Sequence, residues 1–196
     1  FNYIKDNQNI VTVKMDMLGR TTNVINEEFF QLWSNTIERL ESEKDLSGVI
    51  LTSAKKTFLA GGDLEMIFKL KDPKYTFELI EKLKAKQRRL EILQKPVVAA
   101  INGTALGGGL EIALCCNYRI ALNDAFIKFG FPEVNFGIMP AAGGIVRSIR
   151  LLGLETALPF LMEGKQINPE IAKKVGFVDE IVDNQEELII KAKKYI

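Results

Sequence analysis

One stretch carries most of the chemical promise in this chain. Ile101 to Cys116 reads INGTALGGGLEIALCC, a buried-strand pattern running through a small-residue loop into an apolar helix. Gly107, Gly108 and Gly109 open that helix, and Glu111 is its single carboxylate. A helix start leaves backbone N–H groups without partners, and glycines let an electron-rich ligand approach them closely. Glu111 falls in the first turn, so an acid/base group stands beside those donors. The combination suits chemistry at a carbonyl, where charge develops on an oxygen and a proton must move. Glu111 is flanked by Leu110, Ile112, Ala113 and Leu114, and an unpaired charge in such company is costly.

The composition narrows what else the chain can do. There is no histidine in the 196 residues, so Ser-His triads, histidine metal sites and histidine bases are excluded. Proton transfer near neutral pH falls to carboxylates, Lys, Tyr or Cys. The net charge of +1, from 26 basic and 25 acidic residues, gives no electrostatic case for nucleic acid or a membrane surface. Cys115 and Cys116 are adjacent in an apolar run, and neighbouring cysteines seldom bridge. They read as reduced, buried small side chains, which suits a reducing compartment. No apolar run reaches the length of a membrane span. No signal peptide is visible. An apolar fraction of 47% is enough for one sizeable core, so residues 1–196 read as one domain.

The elements that must position the site alternate between strand and helix, the α/β signature. Ile10–Met15, Val49–Thr52, Val97–Ile101, Tyr118–Leu122 and Ala125–Phe129 read as strands. Asn26 is placed to cap a helix to about Glu43, with Phe29, Leu32, Trp33, Thr36, Ile37 and Leu40 on its buried face. Asp63 sits at the start of a second helix. A long helix over Tyr75–Gln94 follows Asp72-Pro73, with its charge run on a solvated face. Ile145–Leu152 opens after Pro140-Ala141-Ala142-Gly143-Gly144. Small helices fill Leu154–Val175, Gly176–Val182 returns as a strand, and Glu186–Tyr195 ends the chain as a helix. Glycine-rich turns after strands cluster at one edge of an α/β sheet, where ligands bind. None of them matches a nucleotide-binding fingerprint.

Four motifs stand in order: Phe58-Leu59-Ala60-Gly61-Gly62-Asp63-Leu64, Asn102 to Glu111, Phe131-Pro132-Glu133-Val134, and Gly137-Ile138-Met139-Pro140-Ala141-Ala142-Gly143-Gly144. Taken singly, Glu111 reads as a first-turn glutamate and Glu133 as a loop residue. Together, over nearly the whole chain, the motifs resemble the crotonase (enoyl-CoA hydratase/isomerase) superfamily. The resemblance implies an α/β spiral of ββα units. It implies an oxyanion hole from the amides of Gly62 and Gly108 around the thioester oxygen of an acyl-CoA. It makes Glu111 and Glu133 the catalytic pair that adds water to a trans-2-enoyl-CoA. An isomerase would need Glu133 alone.

The resemblance also gives the Ala60 carbonyl to the adenine of coenzyme A, Lys56 to a phosphate, and the Ala141 amide to the catalytic water. Asp63 and Pro132 join this substrate-binding set, and Met66, Ile67, Phe68 and Leu70 are candidates for the acyl tunnel. Lys56 reads equally well as a surface lysine, and the apolar four as core. No metal is implied, and coenzyme A enters as part of the substrate. NAD is implied only if a dehydrogenase domain follows Ile196. Two positions depart from the usual pattern, Ala141 where Gly is common and Asn117 where Asp is common.

Family members carry a further C-terminal helical segment that covers the active site and builds a trimer, and this chain stops before it. It is therefore read as a fragment. Its Met17 to Val24 segment looks most like the N-terminal hydratase part of the multifunctional fatty-acid oxidation complex alpha subunits. That branch implies a homo-oligomer or a complex subunit, in bacterial cytoplasm or the mitochondrial matrix. A different class stays open beside the enzyme: an acyl-CoA-binding piece without turnover of its own.

Overall fold

The computed structural model describes residues 1–196. In chain order the elements are β1 (Asn2–Lys5), β2 (Ile10–Met15), α1 (Glu27–Ser42), β3 (Gly48–Ser53), α2 (Leu64–Lys69), α3 (Pro73–Glu91), β4 (Val97–Ile101), β5 (Ala105–Leu106) and α4 (Gly108–Ala113). Then come β6 (Tyr118–Leu122), β7 (Phe129–Gly130), a 3-10 turn over Pro132–Phe136, α5 (Gly144–Leu152), α6 (Leu154–Met162), β8 (Gln166–Ile167), α7 (Pro169–Val175), β9 (Glu180–Val182) and α8 (Gln185–Tyr195).

A six-stranded sheet in the order β1-β2-β3-β4-β6-β9 forms the frame. Only the β1–β2 hairpin is antiparallel; from β2 to β9 every pair is parallel. Parallel strands are buried on both faces, which is why β3 and β4 read as unbroken apolar runs. The two-residue pleat still divides them. Val49, Leu51, Val97, Ala99 and Ile101 face the main core with Trp33, Phe58 and Phe129. Ile50, Val98, Ala100 and Ile120 face the other way, under Leu188 and Ala192 of α8. The loops leaving β2, β3 and β4 therefore all emerge at the strands' carboxyl ends.

Two asparagines, Asn23 fully buried and Asn102 half-buried, tie those loops together. Asn23 donates to the Met15 carbonyl (3.1 Å) and to Ser53 Oγ (2.9 Å), and accepts from the Met17 N–H (3.0 Å). Asn102 donates to the Ser53 and Lys55 carbonyls at 3.1 and 3.0 Å. The segment carrying Ala60 to Asp63 is then stitched down by backbone. Ala60 N–H donates to the Asn23 carbonyl (3.0 Å), Ile25 N–H to the Gly61 carbonyl (2.8 Å), and Asp63 N–H to the Ile25 carbonyl (2.9 Å).

The structure corrects several expectations. Of the Ala125–Phe129 strand only Phe129 is in strand, paired through β7. Asp124 instead closes a turn, accepting from the Phe126 N–H at 2.8 Å and leaving Phe126 88% exposed. The strand Asn2–Lys5 carries no apolar alternation, with Ile4 exposed at the sheet edge. The long helix begins at Pro73, capped by Asp72, and ends at Glu91, before Gln94, which has a positive φ of 58°. Asn117 accepts from the Val97 N–H at 2.8 Å and donates its own N–H back to the Val97 carbonyl at 2.8 Å. Its departure from Asp is thus a local strand-end matter.

Gly109 shows how tightly the central helix is seated. A Cβ there would lie 2.0 Å from the Leu59 carbonyl oxygen, which already accepts from the Leu106 N–H. Gly109→Ala is expected to destabilise the protein by about 2–3 kcal/mol despite alanine's better helix propensity, measured by urea unfolding. Unchanged stability would mean that α4 can slide away from the Leu59 loop.

Candidate active site

Glu111 is 3% exposed, on the inward face of α4. Its Oε1 accepts from the Gly144 N–H at 2.7 Å, at the start of α5. Burial pushes its carboxyl up to about 7, against the pull of that hydrogen bond, and the Glu133 carboxylate adds to the rise. Glu133 comes from the 3-10 turn that follows β7. Burial also pushes it up to about 7, and its Oε2 is buried with no partner. Two carboxyls held near neutrality by desolvation are what acid/base work at physiological pH requires.

The glycines of the central stretch make room for both acids. An ideal Cβ on Gly107 would stand 2.5 Å from Glu133 Oε1, and one on Gly108 would stand 3.8 Å from Glu111 Oε2. The two carboxylates thus reach consecutive residues of one turn. Gly107 has φ 52° and ψ −126°, a conformation that favours glycine. Gly107→Ala is expected to displace the Glu133 carboxylate and cut turnover by about 10²-fold, the scale of losing one positioned acid/base group. Glu133 can move aside, but the positive φ strains alanine in any case, so urea unfolding of the variant is measured beside its kinetics. Intact kinetics in the alanine variant would remove Glu133 from the reacting centre.

Gly62 and Gly108 also converge. A Cβ on Gly61 would lie 3.7 Å from the Gly108 nitrogen and 3.0 Å from the Leu106 carbonyl, so the two loops are in contact. The neighbouring amides are spent: Gly107 N–H donates to the Gly130 carbonyl (2.9 Å) and Asp63 N–H to Ile25. The Gly62 and Gly108 amides find no acceptor among the turn, loop and cap hydrogen bonds. As the first residue of α4, Gly108 has none within the helix either.

All four residues line one cavity of about 410 Å³. Ala60, Gly61, Pro132 and Ala141 share its wall, with Met66, Ile67 and Leu70 from the α2 end. Phe68 does not join them; it is 57% exposed on the opposite side of that short helix. Lys56 is exposed and does not line the cavity. Nor does Asp63, whose side chain caps α2 by accepting from the Glu65 and Met66 N–H groups and pairs with Arg20 at 3.1 Å. Cys115 and Cys116 are free and buried, and burial pushes the Cys116 thiol up to about 12. Neither is an activated thiol.

Sequence reasoning missed the support beneath Glu111. Arg147 of α5 donates from Nη1 to the Ala142 carbonyl (2.9 Å) and from Nε to Glu91 Oε1 (2.6 Å). A Cβ on Gly143 would strike Arg147 Nη1 at 2.0 Å. The guanidinium thus props the loop whose Gly144 amide holds Glu111. Arg147 and Glu91 are 56 residues apart, and no local pattern joins them.

A mixed, mostly parallel sheet whose carboxyl-end loops converge two amides and two carboxyls on one apolar cavity is a definite class of α/β architecture. The crystal structure of an enoyl-CoA hydratase from Thermoplasma volcanium superposes with a TM-score of 0.91 at 29% identity, covering 99% of this chain and 76% of that one. That of an enoyl-CoA hydratase from Bacillus anthracis gives 0.89 at 29% identity, covering 98% and 75%. The fold is the crotonase fold. Residues 5–196 match the enoyl-CoA hydratase/isomerase family, and the chain belongs to it. Among curated relatives, the fatty acid oxidation complex subunit alpha of Shewanella frigidimarina is 37% identical over 185 residues, 94% of this chain and 26% of the relative. That of Shewanella putrefaciens is 38% identical over 183 residues, 93% and 26%. The chain spans about a quarter of the length of these relatives. No helix is long and apolar enough to cross a membrane.

Proposed function

We propose that this domain hydrates trans-2-enoyl-CoA thioesters to 3-hydroxyacyl-CoA. The observation that carries the reading is the convergence of Glu111 and Glu133, from separate elements, on one cavity walled by Gly62 and Gly108. With both carboxyls pushed up to about 7, one is protonated and the other ionised over a useful range near neutrality. The ionised Glu111 orients water and takes its proton as the oxygen bonds to C3. The Glu133 proton goes to C2, and the carbon–carbon double bond becomes single. Both protons of the water are then accounted for once the two acids re-equilibrate, and either acid can act in the reverse sense. Charge pushed onto the thioester oxygen in the transition state would be held by the Gly62 and Gly108 amides, each worth about 3 kcal/mol of barrier in such roles.

Coenzyme A is then part of the substrate, and hydration needs no further cofactor. Ala60, at the cavity wall, would offer its carbonyl to the adenine, and Ala141 its amide to the water. By likeness to the Shewanella relatives, the whole protein would work in fatty-acid oxidation as an oligomer or complex subunit. Any NAD-dependent step would belong to a part of the protein outside these residues.

A Δ3-Δ2 isomerisation is the second reading, favoured by one feature. Glu133 keeps a buried oxygen without a partner, free to carry a proton between C4 and C2, whereas Glu111 has one of its two oxygens, Oε1, held by the Gly144 N–H. Mixing the protein with crotonyl-CoA tests the first reading. Loss of the conjugated-thioester absorbance with formation of 3-hydroxybutyryl-CoA supports it. Tight crotonyl-CoA binding with no absorbance change, alongside conversion of a 3-enoyl-CoA to the 2-enoyl isomer, would replace it with the second.

A further inference from the structure

Arg147 stands where a cation is disfavoured. It lies in the first turn of α5, against the helix dipole, and it is half-buried. Its guanidinium is held from α3. Glu91 Oε1 accepts from Nε at 2.6 Å and Gln87 Oε1 accepts from Nη1 at 3.3 Å, and Gln87 is fully buried. Gln87 and Glu91 are one helical turn apart, so α3 presents both acceptors on one face. The Arg147 and Glu91 side chains are only 16% and 22% exposed, and an ion pair so far out of water is weak evidence for stability. What the pair reaches is the loop beneath Glu111. Ala142 takes the guanidinium on its carbonyl at 2.9 Å, while the Ala142 and Gly144 backbone N–H groups draw the Glu111 carboxyl value down.

We propose that Glu91 and Arg147 are positioning residues for hydration: Glu91 fixes the guanidinium, and the guanidinium fixes the Ala142–Gly144 loop that aims Glu111 at the water. This rests on the two-carboxylate reading of the site. Neither residue lines the cavity, so both act through the loop and not on the substrate. The charged and titratable groups along the relay are few. Glu111 faces Glu133 from the 3-10 turn and Arg147 from α5. Arg147 faces Glu91 from α3 and Cys115 from α4, whose thiol burial keeps protonated. Glu91 also accepts from Arg88 Nη1 at 3.3 Å. The guanidinium therefore draws Glu111 toward its ionised form, and the Glu91 charge tempers that pull.

Two variants of the full chain test this. Glu91→Leu with Arg147→Met exchanges the ion pair for apolar contacts, a swap that proteins often tolerate. This paired variant should unfold cooperatively in urea and bind butyryl-CoA within about threefold of the wild type, yet lose about 10²-fold in kcat for crotonyl-CoA, the scale of a misplaced reacting group. With the cation gone, the acid limb of its kcat/KM profile, set by Glu111, should move up by about half a pH unit. Glu91→Gln keeps an acceptor for Nε and removes only the charge. It should cost about fivefold in kcat and move the same limb down. Opposite shifts from the two variants are not what a general loosening of the fold produces. Wild-type kcat in the paired variant, or limbs that move the same way, overturns the positioning role while the hydratase reading stands. Where the paired variant does not fold, Glu91→Gln decides alone: an acid limb that stays in place or moves up overturns the role. A wild type that fails to hydrate crotonyl-CoA overturns both readings.

Discussion

Glu133→Gln is expected to lower kcat for crotonyl-CoA hydration by about 10³-fold while changing the affinity for butyryl-CoA less than threefold. Glutamine keeps the size of the side chain and removes its proton chemistry, and a positioned acid or base contributes about 10²–10⁴-fold. Glu111→Gln should cost a similar factor. Its amide oxygen can still accept from the Gly144 N–H, now 2.7 Å from Glu111 Oε1, so the loop should hold its place. The double variant should lose little more than either single one, because two groups acting on one water are not independent. Glu111→Gln also separates the two readings of the site. If the protein isomerises 3-enoyl thioesters, that activity should survive this substitution and vanish with Glu133→Gln. Two single variants each retaining more than a tenth of wild-type hydration would mean that water is added without these carboxylates.

How much of this was legible in the chain depends on the range of the interaction. The Gly107 to Glu111 stretch could be read locally, because strand, loop and helix start follow one another. Asn26 before Glu27 was legible as a cap for the same reason, and its side chain accepts the Phe29 N–H; Asp72-Pro73 was legible only as a break, and Asp72 proves to cap α3. Glu133 needed the ordered set of four motifs, since nothing around Pro132 says that it faces Gly107 across the fold. The tie from Gly144 to Glu111 spans 33 residues and that from Arg147 to Glu91 spans 56, and neither leaves a periodicity to detect. Asn23 carried no mark at all: it is fully buried because Met15, Ser53 and Met17 supply its partners. The Ala125–Phe129 misreading has the opposite origin. A short apolar run favoured a strand, and the Asp124 turn overrode it. In α2 the spacing alone did not say which of Met66, Ile67, Phe68 and Leu70 turn inward; the Asp63 cap, by fixing the helix start, leaves Phe68 outside.

The same desolvation that makes the two acids useful should be measurable as instability above neutrality. Their ordinary carboxyl value is 4.5, and burial raises both to about 7 in the folded protein. Between those values the folded chain binds more protons than the unfolded one, so stability falls as pH rises through that window. Below about 4.5 the penalty is absent, and above 7 it is fully present. At about 1.4 kcal/mol for each pH unit, one such group costs about 3 kcal/mol at pH 8. Glu111→Gln removes its share, as does Glu133→Gln, whose Oε2 has no partner to lose. Either variant should therefore be more stable than the wild type at pH 8 by about 2–3 kcal/mol, a rise in Tm of about 5 °C, and should lose most of that advantage at pH 5. The double variant should gain less than both together, since the Glu133 charge is part of what raises Glu111. Urea unfolding at pH 5 and pH 8 measures this. Equal stability of variant and wild type at pH 8 would show that the carboxylates are solvated in the folded state. That result would also remove the reason for either acid to hold a proton at neutral pH, and with it the division of labour between them.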